Sequence, residues 1–70
     1  MNPYEIWVWL VREDDGREGA IAVVLPGSEQ LGPMVLQARS WELAERVRPL
    51  AEAHGRATGR LIRLAHLLEV

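Results

Sequence analysis

The chain has 70 residues, a formal net charge of −2 and no cysteine. A chain of this length forms one domain, residues 1–70, and it is only marginally stable unless a disulfide, a metal or a second subunit assists it. The absence of cysteine excludes disulfides and thiolate metal sites. The weak negative charge gives no electrostatic basis for binding nucleic acid or anionic membranes. Oligomerisation remains as the expected source of extra stability.

The composition is that of a folded globular protein, with 49% apolar and 26% charged residues. No apolar run approaches the roughly 20 residues that span a bilayer. The first residues show neither the basic segment nor the cleavage site of a signal peptide, so we expect a cytoplasmic protein. Eight basic residues, all arginine, give the chain the general character of a small protein from a phage, a mobile element or a bacterium with a GC-rich genome.

Residues 4–12 predict a β-strand, because apolar and β-branched or aromatic side chains dominate the segment. Alternate residues of a strand face opposite sides of the sheet. Here both sides are apolar, one with Ile6, Val8 and Leu10 and the other with Trp7, Trp9 and Val11. Residues 17–25 predict a second strand, which makes the segment a β-hairpin that is apolar on both faces.

The turn at residues 14–16 decides which residues of the two strands share a face. A two-residue turn would set Glu13 opposite Glu18, and opposed like charges are destabilising. A three-residue loop with Gly16 in the left-handed conformation sets Glu13 opposite Arg17 instead. We therefore expect the three-residue loop. It places Ile21 and Val23 with the tryptophans, and it places Ala20, Ala22 and Val24 with Ile6, Val8 and Leu10.

The middle of the chain predicts a loop, a short strand and a helix. Residues 26–33 are bracketed by proline and glycine and predict the loop, and residues 34–38 predict the strand. Ser40 is a favourable N-cap for a helix over residues 41–57, where apolar residues recur at helical spacing. Pro49 lacks a backbone N–H, so we expect a kink in this helix.

Residues 60–70 fit both a strand and a helix. Leucine, alanine and arginine favour a helix, whereas the glycine stop at Gly59 and the need for another strand favour a sheet. We prefer the strand. The order is then β-β-β-α-β, which predicts a small two-layer α+β domain with a mainly antiparallel sheet and one Pro-kinked helix on one face.

A single helix covers only one face of such a sheet, so one apolar face is left exposed and predicts a partner. Burying about 400 Å² of apolar surface gains on the order of 10 kcal/mol, against association costs of several kcal/mol. We expect a homodimer through an apolar sheet face. A different protein partner is one alternative, and a covering loop or helical tail is another. The expected interface residues are Ile6, Trp7, Val8, Trp9, Leu10, Ile21 and Val23.

The sequence shows no arrangement typical of an active site. His54 and His66 are the only histidines, and neither lies in a His-x-x-x-His or Glu-x-x-His spacing. The acidic run of residues 13–15 lacks the alternate spacing of a calcium loop. We therefore expect no catalytic residues, no metal site and no cofactor, so the protein is not expected to be an enzyme.

These observations predict a non-enzymatic protein-interaction module that is homodimeric and binds or inhibits another protein. The alternative is a protein that sequesters a small ligand or nucleotide. Its pocket would lie between two copies and be lined by Trp7, Trp9 and arginine side chains. Nucleic-acid binding is not expected, because acidic residues share the region of the nearby arginines.

Overall fold

The computed structural model describes residues 4–69 and the side chains of residues 5–68. It confirms the α+β class, with antiparallel strands and two helices. The elements in chain order are β1 (Tyr4–Arg12), β2 (Glu18–Ala20), β3 (Ala22–Val23), β4 (Met34–Val35), β5 (Gln37–Ala38), α1 (Trp41–Arg46), α2 (Arg48–Thr58) and β6 (Ile62–Glu69). The loop between β3 and β4 contains one 3₁₀ turn, Glu29–Leu31.

The strand β1 is central, and all its pairings are antiparallel. Along one side it pairs with β6 over almost its whole length, with Trp7 opposite His66 and Val11 opposite Ile62. Along the other side, β2 pairs with the second half of β1 and β5 pairs with the first half. The strands β3 and β4 form a separate two-stranded sheet. The long strand β6 is therefore one edge of the main sheet.

A backbone junction of Trp9, Ile21 and Leu36 joins the two sheets. The Trp9 N–H donates to the Leu36 carbonyl at 3.0 Å, and the Ile21 N–H donates to the Trp9 carbonyl at 2.9 Å. The Leu36 N–H donates to the Ile21 carbonyl at 2.9 Å. The predicted continuous strand over residues 17–25 is therefore wrong, because that segment divides at Ile21 into β2 and β3 and its ends lie outside both strands. The predicted strand over residues 34–38 likewise divides at Leu36 into β4 and β5.

The hairpin has the predicted three-residue loop. The Glu13 N–H donates to the Arg17 carbonyl at 2.7 Å, and Gly16 has a φ of 87°, which L side chains rarely adopt. Leu10 lies opposite Ala20, as that loop requires. The guanidinium of Arg60, from the connection between α2 and β6, donates to the carboxylate of Glu13 at 2.8 Å. The hairpin turn is thus tied to the α2–β6 connection, 47 positions later in the sequence.

The helical segment begins where the N-cap predicted and contains two helices in place of one kinked helix. The Ser40 hydroxyl accepts a hydrogen bond from the Leu43 N–H at 3.3 Å. The first helix ends at Arg46, and Pro49 lies in the first turn of α2. Proline has no N–H to donate to the preceding turn, so the helix breaks at Val47 where a bend was expected. Gly59 ends α2 with a φ of 68°.

The helices cover the tryptophan side of the sheet. The Trp9 indole N–H donates to the Ala44 carbonyl of α1 at 2.9 Å, and Ala51 of α2 packs in the same buried cluster. The Arg48 guanidinium lies over the Trp9 ring, 4.8 Å from its centre. The buried cluster consists of Trp9, Val11, Ile21, Leu36 and Ala51. Since residues 62–69 form β6, the alternative of a helical tail over the second face is wrong.

Candidate interaction surface

The sheet face turned away from the helices is apolar at its centre. We call it the open face, and its residues follow from strand parity and register. It is formed by Ile6, Val8 and Leu10 of β1, Ala20 of β2, and Ala65 and Leu67 of β6. Val8 is 7% exposed, whereas Leu67 is 54% exposed. The face therefore has a covered middle and an exposed apolar border along β6.

A charged pair lies at one end of the open face. The Arg63 guanidinium donates two hydrogen bonds to the Glu18 carboxylate, at 2.6 and 2.8 Å. These hydrogen bonds lower the pKa of Glu18 below its usual value, and they raise the pKa of Arg63. Gln37 lies on the opposite side of β1, next to Val8. An apolar centre with a charged border is the usual anatomy of a protein interface.

The lowered pKa of Glu18 predicts an acid-sensitive contribution to stability. Glu18 stays ionised to lower pH in the folded chain than in the unfolded chain, where its pKa is near 4.5. Its contribution is therefore present above pH 4.5 and is lost as the pH falls through the lowered folded value. We expect Glu18→Gln to lose less stability between pH 7 and pH 3 than the unaltered chain, as measured by urea unfolding.

Arg63→Gln provides the control for that pH dependence. It should reduce the pH dependence as Glu18→Gln does, and the double variant should reduce it no further. The same loss of stability in Glu18→Gln and in the unaltered chain would show that this pair does not contribute to the acid response.

The edge strand β6 exposes leucines on both of its faces. Leu67, on the open face, is 54% exposed, and Leu68, on the helix side, is 58% exposed. Ile62 and Leu64, in the first half of β6, pack against the buried cluster. The half of β6 that follows Ala65 therefore lies beyond the part that the core covers.

A histidine, a tryptophan and a carboxylate meet on the helix side of this half. The Trp7 and His66 rings stack with centroids 3.8 Å apart and planes 4° apart. The His66 Nε2 lies 2.5 Å from a Glu5 carboxylate oxygen. The sequence patterns did not reveal this cluster, because Glu5 and His66 lie 61 positions apart. The cluster could have been predicted only from the β1–β6 register, which places Trp7 opposite His66.

The structure divides the seven predicted interface residues between the two faces. Ile6, Val8 and Leu10 lie together on the open face. Trp9 and Ile21 lie in the core, 2% and 1% exposed, and Val23 packs against that core. Trp7 is half-buried and stacked on His66. Within one chain, therefore, Ile6 and Leu10 are partly accessible on the open face, whereas Val8, Trp9 and Ile21 are buried.

The second histidine, His54, lies away from the cluster of His66, Trp7 and Glu5. His54 lies on α2, where its carbonyl accepts a hydrogen bond from the Thr58 hydroxyl at 2.9 Å. Among residues 4–69, no group of three or more histidine or acidic side chains is placed to hold a metal ion. In the same part of the chain, neither helix has the length and hydropathy needed to cross a membrane.

Comparison with known proteins yields no match to a family model, to a curated protein or to a solved structure.

Proposed function

We propose that this protein is a non-enzymatic interaction module and that a second copy of the chain covers its open face. One observation carries the proposal. The open face has an apolar centre, and the Glu18–Arg63 pair lies at its border. A sheet face that stays exposed to water is expected to carry polar side chains.

The occupant we infer is a second copy, because the border carries both signs of charge. In a two-fold contact the same patch is presented by both chains, so its apolar centre meets an identical apolar centre. A guanidinium and a carboxylate on one border can each face the opposite charge of the second copy. The chain also has only 70 residues, and a domain of this size commonly gains stability from association.

The role that we propose for the dimer is to bind or inhibit a different protein. Contiguous exposed apolar patches on a folded domain commonly mark sites of protein contact. The geometry favours this role over a ligand pocket lined by Trp7 and Trp9. Trp9 is buried beneath α1 with its indole N–H bonded to Ala44, and one face of the Trp7 ring is taken by His66.

Ile6→Glu tests the open-face contact. Ile6 is half-buried on the central strand, so the new carboxylate can reach water in a single chain but would be desolvated in the contact. We expect the solution mass, measured by size exclusion with light scattering, to fall by half relative to the unaltered chain. Circular dichroism of the same samples should show that the fold is kept.

Leu43→Glu is the matched control, since it makes the same kind of change on the helix layer. Leu43 is exposed on α1, three residues after the N-cap Ser40. A glutamate there completes a capping box and should not weaken the helix. We expect its solution mass to equal that of the unaltered chain. Equal masses for all three proteins would contradict the proposed open-face contact.

A further inference from the structure

The outer edge of β6 carries a row of backbone groups that β1 does not use. The Arg12 N–H donates to the Leu61 carbonyl at 2.9 Å. Hydrogen-bonded and non-hydrogen-bonded pairs alternate along an antiparallel ladder. Residues 63, 65 and 67 therefore bond to β1, and the N–H and C=O groups of residues 62, 64, 66 and 68 point away from it.

The opposite side of β1 confirms this alternation independently. The N–H and C=O of Trp9 bond to Leu36 and Ile21, so neither is directed at Leu64, the residue opposite Trp9 on β6. Leu64 accordingly directs its own N–H and C=O outward. In the described part of the chain, β1 is the one strand that pairs with β6.

The β6 edge lacks most of the features by which soluble proteins usually protect such a strand. Natural edge strands are short, bulged, interrupted by proline or lined with charged side chains, lysine above all. β6 has eight residues, IRLAHLLE, without proline or lysine, and its two charged residues, Arg63 and Glu69, lie towards its ends. Leu67 and Leu68, exposed on opposite faces, are adjacent. A partner that arrives at the edge covers both together, whereas a partner on either face covers only one.

We infer that two copies of the chain pair through their β6 edges, antiparallel, about a two-fold axis at His66. This contact goes beyond the proposed open-face contact and involves different atoms. It joins the two main sheets into one continuous sheet. His66 lies opposite His66 of the second copy, and Leu64 lies opposite Leu68. All of these residues have outward backbone groups, so the register forms about six hydrogen bonds between the chains.

Side-chain sizes favour this register over the neighbouring one that also aligns outward groups. With the axis at His66, the bulky Leu67 of each copy lies opposite the small Ala65 of the other. With the axis at Ala65, two alanines would oppose each other and Leu67 would meet Arg63. The first arrangement fills the open face next to the edge.

This pairing keeps the two α2 helices apart. Gly55 of α2 lies against Ile62, at the start of β6. In an antiparallel pair the start of one β6 lies beside the end of the other, so the two α2 helices stand at opposite ends of the contact. The exposed Leu68 of one copy then lies next to the Leu64 of the other, which already packs against a core.

Leu68→Pro compared with Leu68→Ala tests the edge contact. Both variants lose the leucine, and only proline loses the outward N–H and places a ring at the edge. The ladder to β1 does not use that N–H, so the fold should tolerate proline at this position. We expect Leu68→Pro to raise the dissociation constant of the edge contact about 10- to 100-fold relative to Leu68→Ala. Equal association of the two variants would overturn the inference.

The register can be tested with engineered cysteines, because the natural chain has none. With the axis at His66, residues 65 and 67 of different copies form a non-hydrogen-bonded pair, whose close Cβ atoms suit a disulfide. An oxidised mixture of Ala65→Cys and Leu67→Cys chains should give a mixed disulfide-linked dimer faster than either chain alone. Faster linkage of Ala65→Cys with itself would place the axis at residue 65 and overturn the proposed register.

The two variants Leu68→Pro and Ile6→Glu distinguish the edge contact from the open-face contact of the proposed function. If only the edge contact forms, Leu68→Pro lowers the mass and Ile6→Glu does not. If only the open-face contact forms, Ile6→Glu lowers the mass and Leu68→Pro behaves as Leu68→Ala, which overturns the edge contact alone. If both form, each single variant is a dimer and the double variant is a single chain.

Discussion

Replacing Trp9 by alanine is expected to lower the free energy of unfolding by about 3–5 kcal/mol, enough to unfold much of the population of a domain of this size. Trp9 is 2% exposed, lies in the buried cluster and donates its indole N–H to the Ala44 carbonyl. The substitution leaves a cavity between the sheet and both helices, and it leaves the Ala44 carbonyl without that donor. Urea unfolding followed by far-UV circular dichroism measures the change.

Two further tryptophan variants separate volume from hydrogen bonding. Trp9→Phe keeps most of the ring and removes the N–H, so we expect a loss of about 1–3 kcal/mol. Trp41→Ala is the control, because Trp41 is 52% exposed at the start of α1, and a change of less than about 1 kcal/mol is expected. Similar losses for Trp9→Ala and Trp41→Ala would contradict the assignment of Trp9 to the core.

Introducing valine at Gly55 is expected to cost about 1–3 kcal/mol, because α2 and β6 touch at this residue. A Cβ atom at Gly55 would lie 3.1 Å from the Arg60 carbonyl oxygen and 3.1 Å from a methyl carbon of Ile62. The Arg60 carbonyl belongs to the backbone, so the connection between helix and strand would have to move. The free energy of unfolding, measured in urea, should fall accordingly.

Ala53→Val is the matched control for that substitution. Ala53 is exposed on the same helix, so valine there should cost only its lower helix propensity, about 0.5 kcal/mol. Gly55→Ala adds a sharper comparison. At an unconstrained helix position it would gain about 1 kcal/mol, and here we expect no such gain. A clear stabilisation by Gly55→Ala would show that α2 does not depend on a close approach to Ile62.

Local chemistry made several elements predictable from the sequence. Repulsion between Glu13 and Glu18 selected the three-residue loop, and the register of the hairpin follows from it. Ser40 marked the start of α1, and Gly59 marked the end of α2. The preference for a strand in the last segment is also confirmed, over Ile62–Glu69. In each case the signal lies within a few residues of the element that it predicts.

Contacts between distant segments explain what the sequence did not reveal. The division of residues 17–25 requires Leu36 to reach Trp9 and Ile21, and no pattern within that segment signals it. The two faces of β1 are equally apolar, so hydropathy could not choose which one the helices cover. The hydrogen bond from Trp9 to Ala44 spans 35 positions, and the Glu5–His66 contact spans 61. The proposed interface is a prediction for the same reason, since its other half would belong to a second chain.

The solution mass of the unaltered protein tests the central claim of self-association most directly. Size exclusion with light scattering over a tenfold dilution separates the 7.9 kDa single chain from its multiples. We expect at least twice that mass at the highest concentration, with dissociation towards smaller species on dilution. A mass of 7.9 kDa at every concentration, from a folded sample, would contradict both the open-face contact and the pairing of β6 edges.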